Sequence, residues 1–285
     1  MYLAHFGLAE MPFALTPDTA YAFATRGHQE ALNTLLVAVA GDEGFIKITG
    51  EVGTGKTLLC RRFLRALGAL GNDTVTCYLP NPDLTPRTLL LVLAEELGES
   101  LPATADPYTL HKIISRRLLA LAAEGRRVVV CVDEAQALSR ANLEALRLLS
   151  NLETEKRKLM QVVLFGQPEL DARLNEHHLR QLRQRIAFAY RLQGLTHGEL
   201  GFYVEHRMRV AGHVGAAMFT KSAVAALHRA SGGTPRLVNI LAHKALLTVF
   251  GEGGAVVDKK HVRRAERDGA ESGTAWRRWF GWTVR

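Results

Sequence analysis

The sequence predicts an α/β fold in which a parallel sheet is sandwiched between helices and a small all-helical domain follows. Apolar, strand-like runs alternate with helix-periodic segments up to about residue 195; beyond that point the strands stop and four helical patterns follow. With 285 residues, of which 47% are apolar and 22% charged, the chain can form one large or two modest domains of an ordinary globular protein.

Five short runs rich in β-branched and apolar residues are predicted as strands, at 45–49, 74–79, 128–133, 159–166 and 187–193. The third run, VVVCVD, is apolar up to its final aspartate, as expected of a parallel strand that is covered on both faces. Helices between the strands are predicted to begin at capping residues, namely Thr85 before Pro86, Asp106 before Pro107, and Ser139. This alternation favours right-handed strand–helix–strand units and hence a parallel sheet.

The predicted organisation is a sheet domain at 1–195, a helical domain at 196–268 and a tail at 269–285. Residues 259–285 contain eight Lys/Arg and three Asp/Glu, so this end carries +5 of the net charge of +8, and all three tryptophans lie there. Such an end suggests an acidic partner, either lipid headgroups or nucleic acid. The final stretch 276–285, WRRWFGWTVR, could lie in an anionic membrane interface or pack on a protein.

Features of targeting and of metal binding are absent from the sequence. It offers neither the roughly 18 uninterrupted apolar residues of a membrane span nor a basic start followed by an apolar run, so a cytoplasmic protein is expected. Cys60, Cys77 and Cys131 sit in apolar segments without a CxxC pair and are expected to be reduced core residues. The scattered histidines predict no metal site made of protein ligands alone.

Residues 50–57, GEVGTGKT, match the phosphate-loop pattern GxxxxGK[ST] in full, with an apolar strand before them and a periodic helix after them. Glycines let the backbone curl and present its amides to phosphate, Lys56 adds a charge on the outer phosphates, and the Thr57 hydroxyl ligates Mg²⁺. The residues predicted to hold the nucleotide are Gly50, Glu51, Val52, Gly53, Thr54, Gly55, Lys56, Thr57 and Leu58.

The third predicted strand ends in Asp133-Glu134. Beside a phosphate loop, Asp133 is expected to hold Mg²⁺ through water and Glu134 to polarise the attacking water, which favours hydrolysis. A solvated acidic strand end is the alternative. The guanine signature NKxD is absent from the sequence, so ATP is favoured over GTP.

Five further polar residues are candidates for the same reaction. Gln167, after the fourth strand, could orient the lytic water or simply begin a polar loop. Arg180, Arg183 and Arg185 are predicted on one short helix, as a solvated basic face or as the source of a guanidinium for a neighbouring subunit's γ-phosphate. Arg236, in the first turn of a helix that Pro235 opens, opposes the helix dipole and therefore suggests an external anion.

Taken together, these motifs resemble the AAA+ ATPase family over roughly residues 1–268. The resemblance implies that Gln167 is sensor 1, that Arg185 is a trans arginine finger with Arg183 as the alternate, and that Arg236 is the sensor 2 of a helical lid.

Within that family, YLAHFGLAEMPFALTPDTAYAF, DEAQ and FGQPEL resemble the ExeA/GspA-type secretion ATPases and their short MshM-like relatives of MSHA-type pilus biogenesis. In that branch the N-terminal segment lines the adenine pocket, which implies that Phe6, Pro12 and Phe13, with His28 less strongly indicated, lie near the base; a plain core role is the alternative. The chain stops at Arg285 without a transmembrane helix, which favours the short form.

The predicted function is therefore Mg²⁺-dependent ATP hydrolysis by a homo-oligomer, a ring or an arc, that supports assembly of a type IV/MSHA-type pilus or a type II secretion machine. Its expected partners are further copies of itself and an inner-membrane assembly protein, with peripheral association at that membrane. The alternative is a TnsC-like AAA+ regulator that acts on DNA, which a basic chain permits.

Overall fold

The structure, a computed structural model, describes residues 2–15, 21, 23, 25–69, 71, 73–102, 104–154 and 157–271, with side chains up to residue 268. The tail stretch 276–285 lies outside the described residues. Two compact units divide the chain: a sheet unit, Arg26–Gly50 with Lys56–Leu192, and a helical unit, Met1–Thr25 with Glu51–Gly55 and Gln193–Arg285. Within the described ranges, no helix combines the length and apolar character needed to cross a bilayer.

The strands are β1 (Phe45–Gly50), β2 (Thr74–Leu79), β3 (Arg127–Val132), β4 (Gln161–Gly166) and β5 (Ile186–Leu192). The helices are α1 (Tyr2–His5), α2 (Arg26–Ala40), α3 (Lys56–Ala69), α4 (Pro86–Glu96), α5 (Pro107–Ala123), α6 (Arg140–Ser150), α7 (Glu169–Leu174), α8 (Arg180–Arg183), α9 (His197–Val210), α10 (Lys221–Ser231), α11 (Pro235–Gly251) and α12 (Lys259–Glu271).

The sheet unit contains one five-stranded parallel sheet in the order β2-β3-β4-β1-β5. The five predicted strands are confirmed, with ends shifted by one or two residues. β3 and β4 are central and buried along almost their whole length, whereas β5, at an edge, alternates between half-buried and exposed residues. Because all five strands are parallel, their carboxyl ends meet at one edge of the sheet, where Asp133 after β3, Gln167 after β4 and Gly50 of β1 follow each other in that order.

Capping residues placed the starts of three helices of the sheet unit correctly. Thr85, Asp106 and Ser139 each cap a helix by accepting a backbone N–H in the first turn, as predicted. One sheet face packs against α4, α5 and α6, and the other against α2 and α3. Residues of β3 alternate between these two cores, with Val130 on the first face and Cys131 on the second.

The helical unit has its own core, formed by α9 to α12. The four predicted helices are confirmed, and Thr196 with Glu199 forms a capping box at the start of α9. The N-terminal segment, residues 2–15, packs into this same core. Its backbone is joined to the unit where the Ala9 N–H donates to the Ala211 carbonyl at 2.8 Å.

The structure corrects two local predictions. Arg185 does not belong to the short arginine helix, because α8 ends at Arg183 and the chain then turns through Gln184 into β5. α12 continues to Glu271, three residues into the predicted tail, so Gly269 does not end it.

Candidate functional site

A buried lysine links the end of β1 to the start of α3. Lys56 is the first residue of α3 and is only 5% exposed, and its Nζ donates a 2.8 Å hydrogen bond to the carbonyl oxygen of Gly50. A cation in the first turn opposes the helix dipole, so it needs a partner rich in electrons at that place. Lys56 therefore holds a positive charge at the carboxyl edge of the sheet, where the motif predicts a phosphate.

The first residue after β3 is a buried carboxylate in contact with the phosphate-loop threonine. Asp133 is 3% exposed, accepts the Glu134 N–H at 3.0 Å and the Tyr78 hydroxyl at 3.4 Å, and also accepts the Thr57 hydroxyl. Burial raises the pKa of Asp133, against the opposing effects of the Thr57 hydroxyl and the Glu134 amide. Asp133 and Thr57 thus place a carboxylate and a hydroxyl oxygen side by side, the donor chemistry that Mg²⁺ prefers.

The raised pKa of Asp133 gives a stability prediction. A carboxylate with a raised folded-state pKa binds its proton more tightly when folded, so stability falls as pH rises from the unfolded pKa to the folded one. Asp133→Asn is therefore expected to melt at a higher temperature than the parent at pH 7, with the difference shrinking below about pH 4. Thermal unfolding across pH measures this. Asp83→Asn, at an exposed loop residue, is the control, and an Asp133→Asn protein less stable than the parent at pH 7 would refute the burial argument.

The second carboxylate of the pair is held by two amides. Glu134 adopts a left-handed backbone conformation, φ 50° and ψ 37°, at the start of the 3-10 turn Ala135–Ala137. Its Oε2 accepts from Gln136 Nε2 at 2.5 Å and from Gln167 Nε2 at 3.1 Å. Gln136 Oε1 in turn accepts the backbone N–H of Gln167 at 3.0 Å. The ends of β3 and β4 are thereby joined through one carboxylate.

Two cationic side chains fasten α7, the helix that follows Gln167. Lys47 of β1 forms an ion pair with Asp171 of α7, and Arg173 of α7 donates to the carbonyl oxygen of Leu138. These contacts fix the helix to β1 and to the segment after β3. The position of Gln167 is consequently determined from both sides.

The three candidate finger arginines are all exposed. Arg183 donates to Asn175 Oδ1 at 3.0 Å. The hydrogen bond and charge of Lys158 lower the pKa of Glu153, and the charge of Arg185 adds a smaller effect in the same direction. None of the hydrogen bonds or ion pairs between described residues joins these guanidinium groups to Asp133 or Glu134. A role in their own subunit's carboxylate cluster is thus not supported, and the trans role stays a prediction.

In the helical unit, the loop Glu51–Gly55 packs against the start of α11. Gly53 has φ 80°, and a Cβ added to it would lie 2.4 Å from the Cβ of Arg236, whose N–H donates to the Gly53 carbonyl at 3.4 Å. Arg236 lies in the first turn of α11, as predicted, and is exposed. Only glycine fits at this position, both because of its backbone conformation and because of the close approach of the arginine.

The residues predicted near an adenine are buried. Phe6 and Phe13 are 6% and 3% exposed in the core of the helical unit, where Phe13 meets Phe219 edge to face at 5.8 Å, and Pro12 is buried beside them. His28 is buried on α2 of the sheet unit. This packing accounts for the three N-terminal residues as core, and their role towards a base stays a prediction.

The contacts of two residues, Gln136 and Arg207, were not predicted from the sequence. Gln136 stands two positions after Glu134 in DEAQ, and only the three-dimensional turn shows that its amide reaches both Glu134 and Gln167. Arg207 looks like one more charge on α9, yet it is 7% exposed and donates to the carbonyl oxygens of Pro12 and Ala14. A signal was present for the first, an amide beside the acidic pair, but none for the second.

Comparison with known proteins identifies relatives in sequence and in fold. Residues 39–174 match the family model described as AAA domain. The chain is 45% identical over 253 residues to general secretion pathway protein A of Aeromonas hydrophila; the match covers 89% of this chain and 46% of that protein. The chain therefore spans about half the length of this curated relative.

Solved structures share the fold at low sequence identity. The Aeropyrum pernix ORC2 protein, in ADPNP and ADP complexes, matches with a TM-score of 0.63 and 18% identity over 91% of this chain and 71% of its own. Drosophila ORC bound to DNA matches with a TM-score of 0.68 and 19% identity, over 92% of this chain and 65% of its own. The Thermotoga maritima RuvB Holliday junction branch migration motor matches with a TM-score of 0.54 and 15% identity, over 86% of this chain and 69% of its own. The predicted fold class is thus confirmed: the chain has the AAA+ fold, a P-loop parallel sheet flanked by helices with a helical C-terminal region.

Proposed function

We propose that this chain is an ExeA/GspA-type ATPase that hydrolyses ATP to ADP and phosphate in support of a secretion or pilus assembly machine. The observation that carries the proposal is the buried Asp133 in hydrogen-bond contact with Thr57, with Glu134 next to it at the carboxyl edge of the sheet. The match to the AAA domain model and to general secretion pathway protein A supports it.

In the proposed reaction, the amides of residues 50–58 and the ammonium of Lys56 bind the phosphates. Glu134 takes the proton of a water molecule whose oxygen forms a bond to the γ-phosphorus. The bond from that phosphorus to the β–γ bridging oxygen breaks, and ADP leaves with the electron pair. Lys56 already bonds to a carbonyl oxygen, so its ammonium exchanges that acceptor for a phosphate oxygen when ATP binds.

Thr57 and Asp133 would hold Mg²⁺, Thr57 directly and Asp133 through water. Bound there, the ion neutralises charge on the phosphate oxygens. The chemistry of the two side chains fits this ion, because both present oxygen atoms. Burial disfavours the ionised form of Asp133, and a nearby cation would stabilise that form.

Phosphate release and nucleotide binding by the purified protein test the proposal. We expect a fluorescent ATP analogue to bind, and phosphate to be released only with Mg²⁺ present. Lys56→Ala should lose the binding, and Lys112→Ala, on α5, should not. A parent protein that neither binds ATP nor releases phosphate at any concentration tested would overturn the proposal.

A trans arginine makes a specific prediction for mixed subunits. Arg185→Ala and Glu134→Gln should each be inactive alone, because one lacks the finger and the other the base. Mixed one to one, about a quarter of the interfaces in a head-to-tail oligomer would pair the intact Glu134 of one subunit with the intact Arg185 of its neighbour. Turnover should return to about that fraction, measured as phosphate release.

The same experiment decides among the arginines. If Arg183 is the finger, Arg183→Ala will complement Glu134→Gln while Arg185→Ala remains active alone; Arg180→Ala is read in the same way. Arg65→Ala, exposed on α3, is the control. Full activity of all three single variants would exclude a trans arginine. Light scattering with a non-hydrolysable ATP analogue should show growth of the oligomer if ATP lies at its interface.

The client is proposed by resemblance to the curated relative. General secretion pathway protein A is named for a secretion pathway, and we propose a membrane-bound assembly protein of such a pathway, or of an MSHA-type pilus, as the partner. Kinship with MshM-like pilus ATPases and peripheral attachment to the inner membrane, through the tail at 276–285, belong to the same proposal.

A DNA-linked, TnsC-like function is the second candidate. The exposed face of α12 carries Lys260, Arg263, Arg264 and Arg267, and one structural neighbour, Drosophila ORC, is bound to DNA. DNA binding that weakens steeply with salt and that stimulates ATP turnover would favour this candidate. Turnover that DNA leaves unchanged would favour the assembly machine.

A further inference from the structure

The amide of Gln136 lies at the centre of the carboxylate cluster. It contacts Glu134 through Nε2, at 2.5 Å, and the backbone of Gln167 through Oε1, at 3.0 Å. Resting on the proposed ATPase function, we infer that Gln136 is a positioning residue that holds Glu134 in the orientation needed to accept a proton from water. The sequence motifs assign it no role.

The orientation of the Gln136 amide is determined by its neighbours. The backbone N–H of Gln167 can only donate, so the oxygen of the Gln136 amide must face it. The NH₂ group therefore faces Glu134, which accepts with its carboxylate. Both ends of this side chain are in use, one at the end of β3 and one at the end of β4.

The two amides leave one carboxylate oxygen for water. Gln136 and Gln167 both donate to Oε2 of Glu134, and among the described residues no hydrogen bond ends on Oε1. With Oε2 engaged twice, rotation of the carboxylate about its last torsion is opposed from two sides. Oε1 is the oxygen that takes the proton in this scheme, and Gln136 sets its direction.

The backbone shows that this arrangement is built for the side chain of Gln136. Glu134 is in the left-handed region, which is uncommon for a non-glycine residue, and the N–H of Ala137 closes the turn on its carbonyl at 2.8 Å. A Cβ added at Gly166 would lie 2.7 Å from a methyl of Leu170 and 3.4 Å from Gln136 Oε1. A larger residue at 166 would therefore displace Leu170, whereas it would make only an ordinary contact with Gln136.

Kinetics of Gln136→Ala separates a positioning role from a passive one. We expect kcat to fall by about 10–100-fold, a part of what a general base contributes, with KM for ATP unchanged because the Gln136 side chain is engaged with Glu134 and Gln167. Gln29→Ala, at an exposed glutamine on α2, is the matched control and should keep the parent kcat.

Gln136→Glu gives a readout that a structural role would not move. The variant keeps the size of the side chain but puts a second carboxylate beside Glu134, and two such groups share a proton when the pH is low. While the proton is shared, the introduced carboxyl group can donate a hydrogen bond to Glu134 as the Gln136 amide does. When the proton is lost, the two carboxylates repel each other. The ratio of variant to parent kcat is therefore expected to fall by about tenfold per pH unit above the point where that proton leaves.

Each outcome decides one question. Parent kcat in Gln136→Ala, or a pH-independent ratio in Gln136→Glu, overturns the inference while leaving ATP hydrolysis intact. If Gln136→Ala does not fold, Gln136→Glu alone decides through its pH profile. A parent protein without ATP turnover overturns the proposed function instead, so the two failures are distinguishable.

Discussion

Glu134→Gln is expected to bind ATP as tightly as the parent protein and to lose turnover by about 10²–10⁴-fold. The amide has nearly the shape of the carboxylate, but it cannot accept the proton of the attacking water. Binding is retained because the phosphates contact the loop and Lys56, whereas Glu134 points to Gln136 and Gln167. Phosphate release and titration of a fluorescent ATP analogue measure the two quantities separately.

Glu144→Gln is the matched control for this substitution. Glu144 is part of an ion pair with Arg147 on α6 and is 44% exposed at its side chain, so the same chemical change there should leave kcat unaltered. Unaltered hydrolysis in Glu134→Gln would remove Glu134 as the base. Loss of ATP binding in that variant would show instead that Glu134 shapes the nucleotide site.

Arg207→Ala is expected to lower the free energy of unfolding by about 2–4 kcal/mol. Arg207 is 7% exposed on α9, and its guanidinium donates to the carbonyl oxygens of Pro12 and Ala14 and, at 3.2 Å, to the hydroxyl of Tyr203. It also lies 4.5 Å from the ring centre of Tyr21. Alanine would leave the buried carbonyl group of Pro12 and the part-buried carbonyl group of Ala14 without this charged donor, and an unsatisfied buried acceptor is costly.

Local unfolding of the Arg207→Ala variant should begin in the N-terminal segment, residues 2–15. Urea unfolding measures the total loss, and limited proteolysis should cut within residues 2–15 sooner than in the parent. Arg209→Ala is the control on the same helix: its ion pair with Glu205 joins side chains 72% and 46% exposed, so the change should stay below about 0.5 kcal/mol. Equal stability of Arg207→Ala and Arg209→Ala would contradict the anchoring role.

Local chemistry explains which parts of the fold were predictable. The strands were recognisable because β-branched runs in a buried parallel sheet have no polar alternation to obscure them, as in Val128–Val132. Thr85, Asp106 and Ser139 cap their helices by short-range hydrogen bonds, which neighbouring residues alone determine. Lys56 and Thr57, at the start of α3, lie close to Asp133 because α3 follows β1, and the carboxyl ends of β1 and β3 lie at the same edge of the parallel sheet.

Long-range contacts explain the rest. The 15-residue helix α2 was not identified before the first strand, because RGHQEALNTLLVAVA opens with polar residues and a glycine. The placement of residues 2–15 depends on Arg207, nearly 200 positions away along the chain. The role of Gln136 depends on a left-handed Glu134, a conformation that propensity disfavours for that residue. Contacts of this kind leave no periodic trace in the sequence.

The three cysteines have a practical consequence for optical work on this protein. Cys60, Cys77 and Cys131 are all fully enclosed, and burial raises the pKa of the Cys77 thiol to about 12 and that of Cys131 well above its usual range. Maleimide dyes react with solvent-accessible thiolates, so the three native cysteines should remain unlabelled in the folded protein. A cysteine introduced at an exposed position such as Arg65 could then carry a single fluorophore without replacement of the three native cysteines.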